Sequence, residues 1–167
     1  GEKRICIADA QTMGRGRRGK DWATPKGNLA ISLAFEYEEI SRISQLAPRV
    51  GAEIARAFAP LISDVQVKWP NDVLVQDQKL AGILVEVCGD YTIVGTGINI
   101  ETCPEDKSKI QDFCDVSLNQ FRDLFFAEIE TWFAIWEAEG FSAVREKWLD
   151  KAYRLGLLIE ARLQNET

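Results

Sequence analysis

Lys79-Leu80-Ala81-Gly82-Ile83-Leu84-Val85-Glu86-Val87, then Gly89-Asp90, then Tyr91-Thr92-Ile93-Val94-Gly95-Thr96-Gly97-Ile98 is the stretch that decides the fold. Both runs are rich in aliphatic and β-branched residues, and the glycine–aspartate pair between them reads as a hairpin turn. The second strand therefore returns antiparallel to the first. Glycine stands fourth in the first run, where a strand glycine often marks close approach by a ligand or another backbone. In the second run Gly95 and Gly97 alternate, so they leave one face of that strand without side chains. A flat ligand can lie there.

Working upstream, Val65 to Val75 holds two β-like runs joined through Lys68-Trp69-Pro70-Asn71-Asp72. Proline and Asn-Asp form a turn, and the stiff Trp-Pro pair fixes Lys68 and Asp72 in space, which suits gripping a polar ligand. Ser44 to Leu61 repeats apolar residues at three- and four-residue steps (Leu46, Val50, Ile54, Ala57, Phe58, Leu61), the pattern of a helix with one buried face, and Pro60 ends it. Two further strands are expected, Lys3 to Asp9 with Ile5 and Ile7 on one face, and Asn28 to Tyr37. Downstream, 101–116 is polar and irregular. Ser117 caps a helix running to about Ala138, Gly140 ends it, and a second helix covers Phe141 to Lys151. Leu157 to Leu163 reads as a last strand.

The first two strands are linked by about 20 residues, long for a structureless connection and therefore expected to be a ligand-closing flap. It contains Gln11-Thr12-Met13-Gly14-Arg15-Gly16-Arg17-Arg18-Gly19-Lys20-Asp21-Trp22. From Gly14 to Lys20 four residues are cationic and the other three are glycine, so the backbone can bend around an anion while guanidinium groups converge on it. Residues 1–28 carry seven Lys/Arg against three Asp/Glu, a surplus of four, whereas the whole chain has a net charge of −6. The positive charge is local. The run also fits G-x-G-x-x-G and most of the Walker pattern, but both need a helix starting at the last glycine. Pro25 and Gly27 break any such helix, and Asp21 stands where Ser or Thr is required.

At 167 residues with 46% hydrophobic and 28% charged residues, the chain is about one soluble globular domain. No apolar run approaches the roughly 20 residues of a membrane span. Cys6, Cys88, Cys103 and Cys114 show no C-x-x-C spacing, and a cytoplasmic location with reduced thiols is expected. There is no histidine. That removes imidazole bases, Ser-His-Asp mechanisms and histidine metal sites, and leaves chemistry built on Lys, Arg, carboxylates and backbone amides. Phosphate chemistry at ATP fits that inventory, since it rests on positioning and charge neutralisation.

Taken together, ADAQTMGRGRRGKDW at 8–22, Gly27-Asn28-Leu29, KWPND at 68–72, KLAGILVE at 79–86 and GTGIN at 95–99 resemble, in this order and spacing, the biotin protein ligases (biotin–[acetyl-CoA-carboxylase] ligases). The resemblance covers most of the chain. It implies that biotin and ATP give biotinyl-5′-AMP and pyrophosphate, and that a lysine of a biotin carboxyl carrier protein then takes the biotin. It implies catalytic roles for Lys79, Arg15 and Arg17, and biotin binding by Gln11, Gly14, Arg15, Gly16, Arg17, Lys79, Gly82, Gly95 and Gly97. Arg17, Trp22, Lys68, Asn71, Asp72 and Asn99 are implied on the ATP side, with Asp72 the carboxylate nearest a Mg²⁺ held mainly by phosphates.

The implied fold is α/β, α+β in strict terms: a mixed, mainly antiparallel sheet with helices packed on it, similar to class II aminoacyl-tRNA synthetases. Residues 1–153 would form the catalytic domain and 154–167 would begin a small C-terminal β-barrel, so a piece of a longer protein is expected. The family's Ser-Thr-Asn segment ahead of the first strand has no match in residues 1–7, and no helix-turn-helix suggests a repressor. Exposed sheet edges make a homodimer an expectation. Two other readings are a lipoate or octanoate ligase of the same superfamily, against which the GRGRRG loop argues, and a biotin binder without turnover. With a pI near 4.8 and no basic-aromatic interleaving beyond Trp22, a nucleic-acid partner is not expected.

Overall fold

The computed structural model describes residues 3–36, 40–139 and 141–158. Six strands form one sheet: β1 (Lys3–Ala8), β2 (Leu29–Glu36), β3 (Val65–Lys68), β4 (Asp72–Val75), β5 (Gln78–Cys88) and β6 (Tyr91–Ile98). Their spatial order is β1-β2-β6-β5-β4-β3, and every neighbouring pair is antiparallel. The expected β5–β6 hairpin sits at its centre, turning at Gly89, whose φ of 58° suits a residue without a Cβ. At the outer edge of β3, the Val67 N–H donates to the Lys151 carbonyl and the Tyr153 N–H to that of Val67, both at 2.8 Å, a short parallel cap.

Three helices complete the architecture: α1 (Ile40–Phe58), α2 (Leu118–Glu139) and α3 (Phe141–Asp150). Relative to the expectation of 44–61, α1 starts four residues earlier and stops at Phe58, before Pro60. It runs through Pro48, which lacks the N–H of one ladder bond. The predicted apolar face is buried: Leu46, Val50, Ile54, Ala57 and Phe58 meet Leu29, Ile31 and Leu33 of β2 and Val94 and Ile98 of β6 in one core. α2 and α3 pack against α1. Phe58 stacks on Phe121 at 4.7 Å between ring centroids, and Phe121 stands 6.1 Å from Phe125. Burial of such rings, about 2–3 kcal/mol each, holds the helical layer on the sheet.

Ser117 caps α2 as expected. Its hydroxyl accepts from the Gln120 N–H at 3.3 Å while the Gln120 side chain accepts from the Ser117 N–H at 3.0 Å, a reciprocal capping box. Ile5 and Ile7 of β1 do share a face, opposite Leu33 and Ile31, yet at this edge they remain 57% and 44% exposed. The expected final strand lies outside the described residues from 159 onward, as does Gly140, and Leu155, Leu157 and Leu158 are exposed.

What positions the site is the other face of the sheet. Across β2, β6 and β5 the register aligns Ala30 with Gly97 and Gly82, and Ser32 with Gly95 and Leu84. Ala30, Gly97 and Gly82 form a row of small residues across three strands, and Ser32 and Gly95 extend it across two, so this part of the face is flat and low. The long 9–28 connection covers it.

Candidate active site

That connection has structure of its own. The Gln11 N–H donates to the Thr24 carbonyl at 2.9 Å, the Trp22 N–H to Gly14 at 3.0 Å and the Gly16 N–H to Lys20 at 2.6 Å, so two arms pair back on each other. At the tip, Arg17–Gly19 makes a short 3-10 turn in which Arg18 (φ 58°) and Gly19 (φ 72°) are both left-handed. Holding a non-glycine residue there costs about 1 kcal/mol. The connection expected to be a ligand-closing flap is thus one whose two arms bond to each other.

The flap leans on the sheet at three places. The Trp22 indole lies against Gly97 and Gly82: a Cβ on Gly97 would collide with its ring, and one on Gly82 would come within 3.4 Å of it. Arg15 reaches Glu86 on β5 at 3.3 Å, and Arg17 donates to the Asn71 side-chain oxygen at 3.2 Å. Asn71 is itself fixed, since its amide donates to the Ile83 carbonyl and its carbonyl accepts from the Ile83 N–H, each at 2.9 Å. Between flap and sheet lies a cavity of ≈ 260 Å³ lined by Gln11, Arg15, Arg17, Trp22, Lys79 and the glycines 14, 16, 82, 95 and 97, among others.

Lys79 enters this cavity because of a bulge. Strict alternation would place it on the face of Ala81 and Ile83, away from Gly82. Instead Val73 pairs with Ala81 and Leu74 with Lys79, so Leu80 is an extra residue on β5. Leu80 and Ala81 are consecutive and both fully buried, and the phase of the strand flips between Lys79 and Gly82. The ammonium then stands 2.6 Å from the Asp72 carboxylate and 5.1 Å from the Trp22 ring centroid. Its main chain is held as well, the Lys79 carbonyl accepting from the Ser108 N–H at 3.2 Å. Such multiple anchoring fixes a cation ahead of any ligand.

Three of the anticipated residues do not line the cavity: Asp72 reaches it only through Lys79, and Lys68 and Asn99 stand elsewhere. Lys68 is exposed over the Tyr153 ring, 5.5 Å from its centroid, and does not line the cavity. The Trp69–Pro70 turn, whose peptide bond is cis, does pair Lys68 with Asp72 across β3 and β4, but the two side chains go to different neighbours. Asn99 is buried, its amide donating to the Ser108 carbonyl at 3.0 Å and its N–H to the Leu80 carbonyl at 3.0 Å, which steadies the bulge from behind. Ser32 and Glu86 line the cavity without having been anticipated. A signal for both existed: Ser32 is the polar residue between Ala30 and Ala34 on alternate positions, and Glu86 follows Gly82 at a period of two.

Gln11 lines the cavity, and its side-chain oxygen accepts from the Thr24 hydroxyl at 2.9 Å. A second hollow of ≈ 360 Å³ adjoins the first, sharing Arg17 and Asn71 and bounded by Pro48, Trp69 and Pro70. Among the described residues no three His, Cys, Asp or Glu side chains gather to hold a metal ion. No helix among them is long and apolar enough to cross a membrane.

The sequence model of the biotin/lipoate A/B protein ligase family matches residues 2–101, and the chain belongs to that family. Two curated relatives are similar along most of the chain. The biotin–[acetyl-CoA-carboxylase] ligase of Paracoccus denitrificans is 32% identical, covering 93% of this chain and 73% of its own. The bifunctional ligase/repressor BirA of Escherichia coli is 32% identical over 86% of this chain, which spans 50% of that relative's length. Among solved structures, the biotin protein ligase from Aquifex aeolicus, in complex with biotin and ATP, superposes with a TM-score of 0.80 at 27% identity, covering 91% of this chain and 69% of the other. The expected α+β architecture is therefore that of the solved biotin protein ligases.

Proposed function

We propose that this chain carries the catalytic site of a biotin protein ligase. The observation that carries the reading is the convergence of Arg15, Arg17 and Lys79 on a cavity floored by Gly82, Gly95 and Gly97. A fused bicyclic ligand fits the low floor around Gly95 once the Trp22 indole, which lies on Gly97 and Gly82, gives way, and its carboxylate fits three cations. The Aquifex aeolicus relative, whose structure holds biotin and ATP, supports the choice of ligands.

In this reading a biotin carboxylate oxygen attacks the α-phosphorus of ATP. The bond from that phosphorus to the bridging oxygen breaks, and pyrophosphate leaves with the electron pair. Lys79 stands where it can offset charge on both the carboxylate and the α-phosphate. Two unit charges about 4 Å apart interact by roughly 4 kcal/mol at an effective dielectric near 20. Arg15 and Arg17 come down with the flap and neutralise the phosphates. The ε-amine of a carrier-protein lysine, deprotonated, then attacks the anhydride carbonyl carbon, and AMP departs. The whole step excludes imidazole, consistent with a chain that has none.

Gln11 is assigned to the ureido end, with the glycine floor beneath the rings. Trp22, Asn71 and Asp72 are assigned to the adenylate side, with Lys68 and Asn99 contributing only if they shift toward the ligand. Asp72, 2.6 Å from Lys79, fits a residue that holds the ammonium better than one that takes a metal. Mg²⁺ would accompany ATP as part of that substrate, offsetting phosphate charge. Residues 1–153 are read as the catalytic unit, working in the cytoplasm on a biotin carboxyl carrier protein or domain; a homodimer remains part of the proposal.

Incubation with α-labelled ATP and biotin, with lipoate and octanoate run in parallel, tests this. Labelled biotinyl-adenylate with biotin alone is expected, together with label-free biotin transfer to a carrier domain. An adenylate formed with lipoate or octanoate in preference to biotin would overturn the substrate assignment, and none with any acid would overturn the enzyme.

A further inference from the structure

Each cation lining the cavity already has an oxygen partner: Lys79 has Asp72, Arg17 has the Asn71 side-chain oxygen, and Arg15 has Glu86. Glu86 is the one carboxylate among the described residues that line it. It stands on the pocket face of β5, opposite Ile93 and two positions beyond Leu84. Its carboxylate pairs with Arg15 at 3.3 Å. The Arg15 backbone pairs with that of Asp21 across the flap, so the ion pair with Glu86 ties this hairpin of the flap to β5.

We propose that Glu86 is a charge competitor for Arg15: it holds the guanidinium, and with it the flap, while the cavity is empty, and yields it when an anionic ligand arrives. The proposal rests on the ligase reading for the identity of that anion, the carboxylate-phosphate anhydride, and on the geometry alone for the contact. A contact that stabilises the empty state has a predictable sign. Its loss leaves the flap freer without ligand, and makes ligand binding tighter, because the ligand no longer displaces anything. A residue that only shaped the cavity would have the reverse effect on binding. The pair is a surface one, with side chains 69% and 42% exposed, so the effect is about two- to fivefold, the equilibrium equivalent of an exposed ion pair. For a two-step ligase this sets how firmly the adenylate is retained and returns Arg15 to a partner once AMP leaves.

Glu86→Gln and Glu86→Asp test it. Trypsin cleavage between Gly14 and Lys20 in the empty protein is expected to be about two- to fivefold faster in Glu86→Gln, and dissociation of preformed biotinyl-adenylate slower by a similar factor. Glu86→Asp is expected to fall between the wild type and Glu86→Gln, and the differences should shrink at 1 M salt, where screening reaches ~3 Å. Adenylate leaving Glu86→Gln at the wild-type rate or faster, or unchanged cleavage of the empty flap, would overturn the proposal. If the wild type makes no adenylate, the ligase reading is what fails, and inorganic pyrophosphate becomes the probe anion. Protection of the flap at a lower pyrophosphate concentration in Glu86→Gln would then support the competition, and equal or weaker protection would end it.

Discussion

Lys79 depends on an irregularity for its place. A one-residue bulge at Leu80 turns it onto the glycine face, Asp72 holds its ammonium at 2.6 Å, and Trp22 covers it. Removal of one preorganised cation or donor at a developing charge typically costs 10²–10³ in rate. Lys79→Ala is therefore expected to slow single-turnover adenylate formation by about that factor while circular dichroism stays unchanged; a loss under about tenfold would take Lys79 out of the reaction. Gly97 makes the opposite kind of case, since space is its function. Gly97→Val puts a branched side chain where the Trp22 indole lies, and calorimetry should show biotin affinity falling at least about tenfold. Wild-type affinity would mean that the floor is not where the ligand lies. At this scale the alternating glycines, the basic run and Lys79 were legible in the sequence as residues. The direction of Lys79 was not, because period-two reasoning fails across a bulge, and the pairing that creates this one depends on Val73 and Leu74 of another strand.

Elements tell a different story. The β5–β6 hairpin and the two strands around KWPND could be read because their turns are local: Gly89 at φ 58° and a Pro-Asn corner are written in a few residues. The burial of α1 was equally legible from its 3.6-residue period. The flap was legible only as a length and a composition. Its pairing of Gln11 with Thr24 and Arg15 with Asp21 joins residues of unremarkable strand propensity, and its docking depends on Glu86 and Asn71, distant in sequence. Lys68 and Asn99 show the same limit from the other side, since motif membership alone did not say which member of a motif faces the cavity. An element that holds on by a few exposed polar contacts and one ring opens at low cost. Proteolysis of the free protein is accordingly expected within Gly14–Lys20, with biotin and ATP together suppressing it at least about fivefold. Equal cleavage with and without ligands would mean that this segment does not close on them.

For the whole molecule, stability and chemistry are divided between the two faces of one sheet. The helical face carries the stacked Phe58, Phe121 and Phe125, and Phe121→Ala is expected to cost about 3–5 kcal/mol in urea unfolding, whereas a loss under ~1 kcal/mol would show that this core repacks freely. The same layer contains a buried ion pair, Arg49 to Glu53 at 2.9 Å, in which burial pushes the Glu53 carboxyl up to about 7 against the pull of Arg49. A carboxyl whose folded pKa is raised binds its proton more tightly in the folded state. Its contribution to stability is thus complete below pH 4.5 and is lost as pH rises toward 7. Glu53→Gln should flatten this part of the stability profile, the difference between variant and wild type changing by up to ~3 kcal/mol across that window. A difference independent of pH would place the ionisation elsewhere.

The opposite face, with its glycine floor and three cations, is proposed to activate biotin with ATP. Biotin-dependent exchange of labelled pyrophosphate into ATP measures that step alone, without a carrier protein. Exchange is expected with biotin, with little or none for lipoate or octanoate, and near-complete loss in Lys79→Ala. Undiminished exchange in Lys79→Ala, or exchange that ignores which acid is supplied, would overturn this assignment of the site.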